Sequence, residues 1–310
     1  MALRGEEQLV GEAFGVKRGT GGSGASPRWA RSAWVRLPVM FVLLLAVDLV
    51  TNLINGVADG TPVTGLLVGV ATGVLGLAAY IGLVRYLEGR RRPAELALSD
   101  ARTGLGRGML LGFGLFTVTL AVIAMFGGYH WLGWGSFGGA VTTVGLMSCV
   151  AVAEELAFRG ALFRILEEKT GTWGALAVSG LIFGGLHLLN PGGTVWGALA
   201  IAAEAGLLLG AGYAATRSLW LPIGLHLGWN LAESGIFGTT VSGSAHGPDS
   251  LLRAAVSGPQ ALTGGQFGPE ASVVAILVCG VPTVMLLMLA KRRGRIYARG
   301  TRRIAQQADV

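Results

Sequence analysis

The sequence predicts an all-α fold, a polytopic transmembrane helical bundle of about eight spans, and three observations predict it. Of 310 residues, 52% are hydrophobic and only 13% are charged, too few solvating side chains to coat a soluble globule of that size. The apolar residues come in runs long enough to cross roughly 30 Å of hydrocarbon at about 1.5 Å per residue. The basic residues gather in every second connection between those runs.

The runs lie near 34–56, 63–84, 105–127, 138–162, 173–190, 194–215, 219–238 and 272–290. Basic residues crowd the segment before the first run (Arg4, Lys17, Arg18, Arg28, Arg31, Arg36) and the connections after the second, fourth, sixth and eighth. The opposite connections, 55–62, 128–137, 191–193 and 239–271, hold only Arg253 of the 24 Lys and Arg residues. The positive-inside rule then places both termini in the cytoplasm and the chain in the cytoplasmic membrane as a multi-pass protein. Residues 1–33 read as a basic, partly disordered N-terminus, 34–290 as the transmembrane domain and 291–310 as a basic tail. The first run reads as an uncleaved insertion signal. The net charge of +7 is therefore a topology signal and no argument for nucleic acid. The partners expected from it are anionic lipid headgroups, met by Arg90, Arg91, Arg92, Arg302 and Arg303.

The 52 glycines suit spans whose backbones approach closely; only Gly19–Pro27 reads as a linker. Cys149 and Cys279 fall inside apolar runs and suggest neither a disulfide framework nor a zinc cluster. The aromatic stretch from Tyr129 to Phe137 reads as an interfacial belt, with His130 at headgroup level.

A charged side chain near mid-membrane costs about 2.5–3.5 kcal/mol on insertion scales, so each one needs a reason to be there. Asp48, Glu154, Glu155, His187, Glu204, His226 and Glu233 all fall inside runs. Glu154 and Glu155 would repel each other at low dielectric. Arg159, four residues after Glu155 and on the same helical face, supplies a cation in the favourable order. Glu154 lies about 100° round the helix and stays available for another task. Phe183 and His187 are also four apart, as are His226 and Asn230. If the fourth and fifth runs form a hairpin turning near Thr170 and Gly171, Glu155 and His187 sit at similar depth. His226 then lies in the same half of the bilayer, and the unusual residues share a cavity expected to open to the cytoplasm. Such a cavity holds a carboxylate able to act as general base, an imidazole, and a His and Asn pair able to donate hydrogen bonds to an oxyanion, the parts needed for peptide hydrolysis. Asp48 and Glu233 read as hydrogen-bonded packing residues, Glu204 as structural pairing or cavity lining, and His246 as solvated outer loop.

These residues resemble the CAAX protease and bacteriocin-processing family of intramembrane proteases, also called the lysostaphin-resistance or Abi family. The chain matches its Glu-Glu-x-x-x-Arg motif at Glu154, Glu155 and Arg159, its Phe-x-x-x-His motif at Phe183 and His187, and its His-x-x-x-Asn motif at His226 and Asn230. The stretch from Arg217 to His226 resembles the family's approach to the last motif, and the resemblance covers roughly residues 140–240. It implies an intramembrane endopeptidase acting on a membrane-associated protein or peptide. Glu154 would activate water with His187, His226 and Asn230 would steady the oxyanion, and Glu155, Arg159 and Phe183 would support the site. The family is also described as metalloproteases, which would make Glu154, His187 and His226 candidate zinc ligands. With no His-Glu-x-x-His in the chain, direct glutamate activation without a cofactor is the favoured reading. The scarcity of lysine relative to arginine, with abundant Ala and Gly, suggests a GC-rich bacterial genome and argues against a literal prenyl-protein substrate. Two other classes compete: a non-proteolytic membrane immunity or partner-binding protein on the same scaffold, and a proton- or metal-coupled transporter.

Overall fold

A computed structural model describes residues 26–57, 60–244 and 250–300. Arg4, Lys17, Arg18, most of the Gly19–Pro27 stretch, His246, Arg302 and Arg303 lie outside the described residues. The helices are α1 (Ala33–Val57), α2 (Pro62–Glu88), α3 (Leu98–Met125), α4 (Phe137–Glu155), α5 (Arg164–Leu186), α6 (Val195–Ile201), α7 (Leu207–Thr216), α8 (Trp220–Asn230) and α9 (Val273–Arg292). Three π-helical stretches interrupt them: Leu156–Phe163 joins α4 to α5, Ala202–Gly206 joins α6 to α7, and Leu231–Ile236 continues α8.

The chain is a helical multi-pass membrane protein. Among the described residues, six helical stretches are long and apolar enough to cross a membrane, the fourth running from Phe137 to Leu189 over 53 residues. A straight helix of that length would extend about 80 Å. Gly171, with φ 74° and ψ 175°, breaks it. The two limbs fold back on each other, so that Phe158 meets Phe183 edge to face with ring centroids 4.9 Å apart. Only glycine takes that φ without strain, and the turn lies so close to the Tyr297 carbonyl that an added Cβ would sit 2.8 Å from it. The run expected at 219–238 is realised as α8 and its π-helical extension, 11 and 6 residues long, and is not among the six.

Local signals explain the helix ends. Thr61, Ser136, Thr194 and Ser272 cap α2, α4, α6 and α9, each accepting a hydrogen bond from the backbone N–H three residues on. Gly89, at φ 69°, closes α2. Glycine also sets which helices touch. A Cβ on Gly69 of α2 would overlap the Gly145 backbone of α4, and one on Gly112 of α3 would overlap the Leu225 carbonyl of α8. Such stripes let backbones meet where lipid supplies no hydrophobic drive.

The bundle has two unlike ends. At the first, Arg164 donates to Glu88 at 2.6 Å, Arg90 forks onto Glu95 at 2.7 and 2.8 Å, Arg217 forks onto Glu167 at 2.6 and 3.0 Å, and Arg36 reaches Glu168 at 2.7 Å. Arg90, expected with Arg91 and Arg92 to meet headgroups, turns inward, because two buried carboxylates, Glu88 and Glu95, need its charge. At the second end, the aromatic stretch expected as an irregular belt contains a strand, β1 (Tyr129–Trp134), paired antiparallel with β2 (Leu252–Val256). The all-α expectation omitted this ribbon; its two short strands satisfy each other's backbone groups above the helices. Trp131, Leu132 and Trp134 remain exposed on it, and His130 shares a hydrogen bond of 3.0 Å with Ser257.

Glu95 sits in a connection outside the spans. Burial by itself would raise its pKa, but the Arg90 hydrogen bonds, the Arg164 and Arg90 charges and the Tyr80 hydroxyl outweigh burial and hold it at about 2. A carboxylate with a depressed folded pKa contributes stability that is full above its ordinary value of 4.5 and is lost as pH falls through the folded one. The thermal midpoint in detergent should thus drop between about pH 4.5 and pH 2. Glu95→Gln should lower the midpoint at neutral pH and flatten that acid limb. An acid limb of unchanged slope in Glu95→Gln would show that another group carries it.

Candidate active site

The site is built around one buried cation. Arg159, 1% exposed, donates from Nη1 to Glu155 Oε1 at 2.8 Å and from Nη2 to the carbonyls of Ala205 and Gly206 at 3.3 and 3.2 Å. Its guanidinium also lies 4.9 Å from the centre of the Phe183 ring. Glu155, fully buried, lies 3.2 Å from His226 Nδ1 through the same Oε1. Since the carboxylate accepts from Arg159, Nδ1 is the protonated nitrogen of that contact, and Nε2 is left for a ligand. One residue thus ties α4 and its π-helical continuation to the Ala202–Gly206 stretch, to α5 through Phe183, and to α8 through Glu155.

His187 caps the end of α5, its Nδ1 lying 2.7 Å from the Phe183 carbonyl. A carbonyl only accepts, so Nδ1 is the donor of that contact and Nε2 is left for another partner. Phe183 packs against both imidazoles, with ring centroids 4.8 Å from His187 and 6.4 Å from His226. Glu154 makes no hydrogen bond to the Arg159 pair, and its Oε2 is buried without a hydrogen-bond partner among the described residues.

Glu154, His187, His226 and Asn230 all line one cavity of about 140 Å3, which Phe183 also borders, room for water beside a peptide group. Glu155 and Arg159 stand behind its wall, in the buried contacts just described. A cavity shared by a carboxylate with an unbonded oxygen, an imidazole whose Nε2 makes no hydrogen bond with the described residues, and a His and Asn pair can hold a water, take its proton and donate to a developing anion.

The π-helical stretches fall where the polar residues are. Leu156–Phe163 starts directly after Glu155, Ala202–Gly206 contains Glu204, and Leu231–Ile236 starts directly after Asn230. Such widened turns re-aim side chains and recur at functional sites.

Sequence reasoning missed part of the wall. Glu270, assigned to an outer loop, is buried and lines the cavity with Ser242 and Asn190. It accepts from Trp229 Nε1 at 3.0 Å and from the Ser242 N–H and hydroxyl at 2.7 and 2.5 Å. An acid just before an apolar span, with no basic neighbour to pair with, was the available signal. Glu204 also lines the cavity and receives the Cys279 thiol at 3.2 Å. Glu233 accepts from Trp229 at 3.1 Å and Asp48 from Asn52 at 2.9 Å; neither borders the cavity. The lining runs from mid-depth residues such as Leu208 and Leu225 to Asn190, Ser242, Ser244 and Glu270 at the second end. None of the lining residues comes from the connections of the first end, where the Arg–Glu pairs lie.

Among the described residues, no group of three or more His, Cys, Asp or Glu side chains is disposed to hold a metal ion. Glu154, His187 and His226, the candidate ligands, share a wall of the cavity.

Residues 136–232 match the sequence model of the family described as type II CAAX prenyl endopeptidase Rce1-like. The matched stretch contains all three motifs. No curated protein and no solved structure gives a significant match.

Removing one member of a buried ion pair costs about 3–5 kcal/mol, because the survivor is left uncompensated. Arg159→Met should therefore lower the thermal midpoint sharply. Adding Glu155→Gln should recover part of that loss; strictly additive losses in the double variant would show that the two residues are not coupled.

Proposed function

We propose that this chain, whose residues 136–232 match the type II CAAX prenyl endopeptidase Rce1-like model, is an intramembrane endopeptidase that uses Glu154 as its general base. The single observation that carries this reading is the shared cavity of Glu154, His187, His226 and Asn230. An eight-span topology with both termini in the cytoplasm accompanies it, supported by the alternation of basic connections and by the hairpin at Gly171.

In this reading a water donates one hydrogen bond to the open oxygen of Glu154 and the other to Nε2 of His187. Its remaining lone pair then faces the scissile carbonyl. As the water attacks, Glu154 takes its proton and the carbonyl oxygen becomes an anion. Asn230 donates to that oxygen from its amide, and His226 donates from Nε2 as an imidazolium whose counter-charge is the Glu155 carboxylate on Nδ1. When the tetrahedral centre collapses, the proton on Glu154 passes to the leaving amine and the carboxylate is restored. Glu155 and Arg159 do not touch substrate; they orient His226 and fix the depth of Glu154.

Glu154→Gln keeps the shape and removes the base, and should reduce hydrolysis about 10²–10⁴-fold. Comparing membrane peptides from cells carrying the wild type and this variant would expose both activity and substrate. Identical peptide profiles with an intact phenotype would favour a partner-binding role instead. Asn230→Ala should lower kcat about 10²–10³-fold with little change in KM. Exhaustive chelation of purified protein should leave activity intact, and loss restored by zinc would replace glutamate activation with metal chemistry.

A further inference from the structure

The two ends of the bundle differ in charge, closure and access, and together these differences orient the enzyme. The first end gathers the connections that contain Arg90, Arg164, Arg217 and Arg292. It is stitched shut by the ion pairs of Arg36, Arg90, Arg164 and Arg217 with Glu168, Glu95, Glu88 and Glu167. Further bonds tie its loops together: Leu219 N–H to the Glu95 carbonyl at 2.8 Å, Thr172 N–H to the Tyr297 carbonyl at 3.0 Å and Trp220 Nε1 to the Ala97 carbonyl at 3.0 Å. None of these loops contributes to the cavity wall.

Among the described residues, the second end carries Arg253 alone of the Lys and Arg side chains. Its loops supply Asn190, Ser242, Ser244 and Glu270 to the wall, and Ser244 is exposed, marking the mouth. Glu204, between them and the closed end, lies about 14 Å along its helix from Val195 and about 18 Å from Thr216, at roughly 1.5 Å per residue. The cavity therefore descends from the Arg-poor end to mid-depth and stops. Basic connections stay in the cytoplasm, which puts the mouth on the other side.

We propose that the cavity opens to the non-cytoplasmic face of the membrane, and that the enzyme takes peptide segments presented from that face, in exported or membrane-inserted chains, in place of cytoplasmic C-termini. The substrate half of this proposal rests on the endopeptidase reading; the orientation half does not. Water and the scissile amide enter past Ser244 and Asn190, and the Arg–Glu network keeps the cytoplasm out.

Single-cysteine access decides the matter, using a membrane-impermeant maleimide on spheroplasts and on inverted vesicles from the same expressing cells. Ser99→Cys reports the first end, Ala261→Cys the second, and Met147→Cys the cavity wall, all at positions that are not fully buried. Cys149 and Cys279 are buried, so the wild type serves as the unlabelled control. Spheroplasts should label Ala261→Cys and Met147→Cys and spare Ser99→Cys, and inverted vesicles should do the reverse. Labelling of Met147→Cys from the same side as Ser99→Cys would overturn the proposed opening, and labelling of Ser99→Cys in spheroplasts would overturn the orientation. Ser244→Cys at the mouth replaces Met147→Cys if that variant fails to accumulate. Hydrolysis sensitive to Glu154→Gln is scored separately. Its absence would sink the endopeptidase reading while leaving the labelling result standing, and its presence with cytoplasmic labelling of the cavity would sink only the proposal made here.

Discussion

Everything at the centre of this bundle depends on placing a guanidinium where no water can reach it. Arg159 is tolerated there because its surroundings divide the charge: one carboxylate, two backbone carbonyls and an aromatic face each take part of it. The carbonyls of Ala205 and Gly206 are free to accept because they lie in and beside a π-helical stretch, where regular α-helical pairing is interrupted. The cation thus requires the distortion, and the distortion sets the rotation of Glu204. Glu155 in turn has no choice of partner, so the adjacent Glu154 is turned towards the cavity by the helix itself.

Much of this was legible in the sequence, and for a physical reason. In lipid an ionisable side chain is costly enough to be informative wherever it occurs, and a spacing of four puts two residues on one helical face. The pairs Glu155 with Arg159, Phe183 with His187 and His226 with Asn230 could therefore be read as faces, and their helices as neighbours. The apolar runs placed the starts of α1, α2, α4 and α9 within one residue and missed that of α3 by seven, because its first turns carry polar residues. The bend at Gly171 was legible as a turn between charged and apolar stretches.

The remainder was hidden because it depends on tertiary geometry. Nothing in the local pattern of Leu156–Phe163 distinguishes a π-helix from an α-helix; the widened turn arises from what packs around it. Glu270 and Ser242 lie in a loop whose composition reads as solvated, and only the fold of that loop under the strand pair brings them to Trp229. The inward turn of Arg90 was invisible because a triple arginine reads the same whether its members face lipid headgroups or buried acids. Depth along a helix can likewise be counted from sequence, but which loops close over one end of a bundle cannot.

The π-helical stretch after Glu155 has a consequence for how the chain tolerates change. A wide turn holds one residue more than the regular helix would, so its length fixes the angular phase between everything before it and everything after. Deleting any one residue between Leu156 and Phe163 would remove the residue that the wide turn takes up and change which side chains, Arg159 among them, face inward between the glutamates and the hairpin. The identity of a space-filling side chain such as Ala157 or Ala161 can vary within its volume. The count of residues in that stretch cannot, which makes it a place where substitution is cheap and a single-codon gain or loss is ruinous.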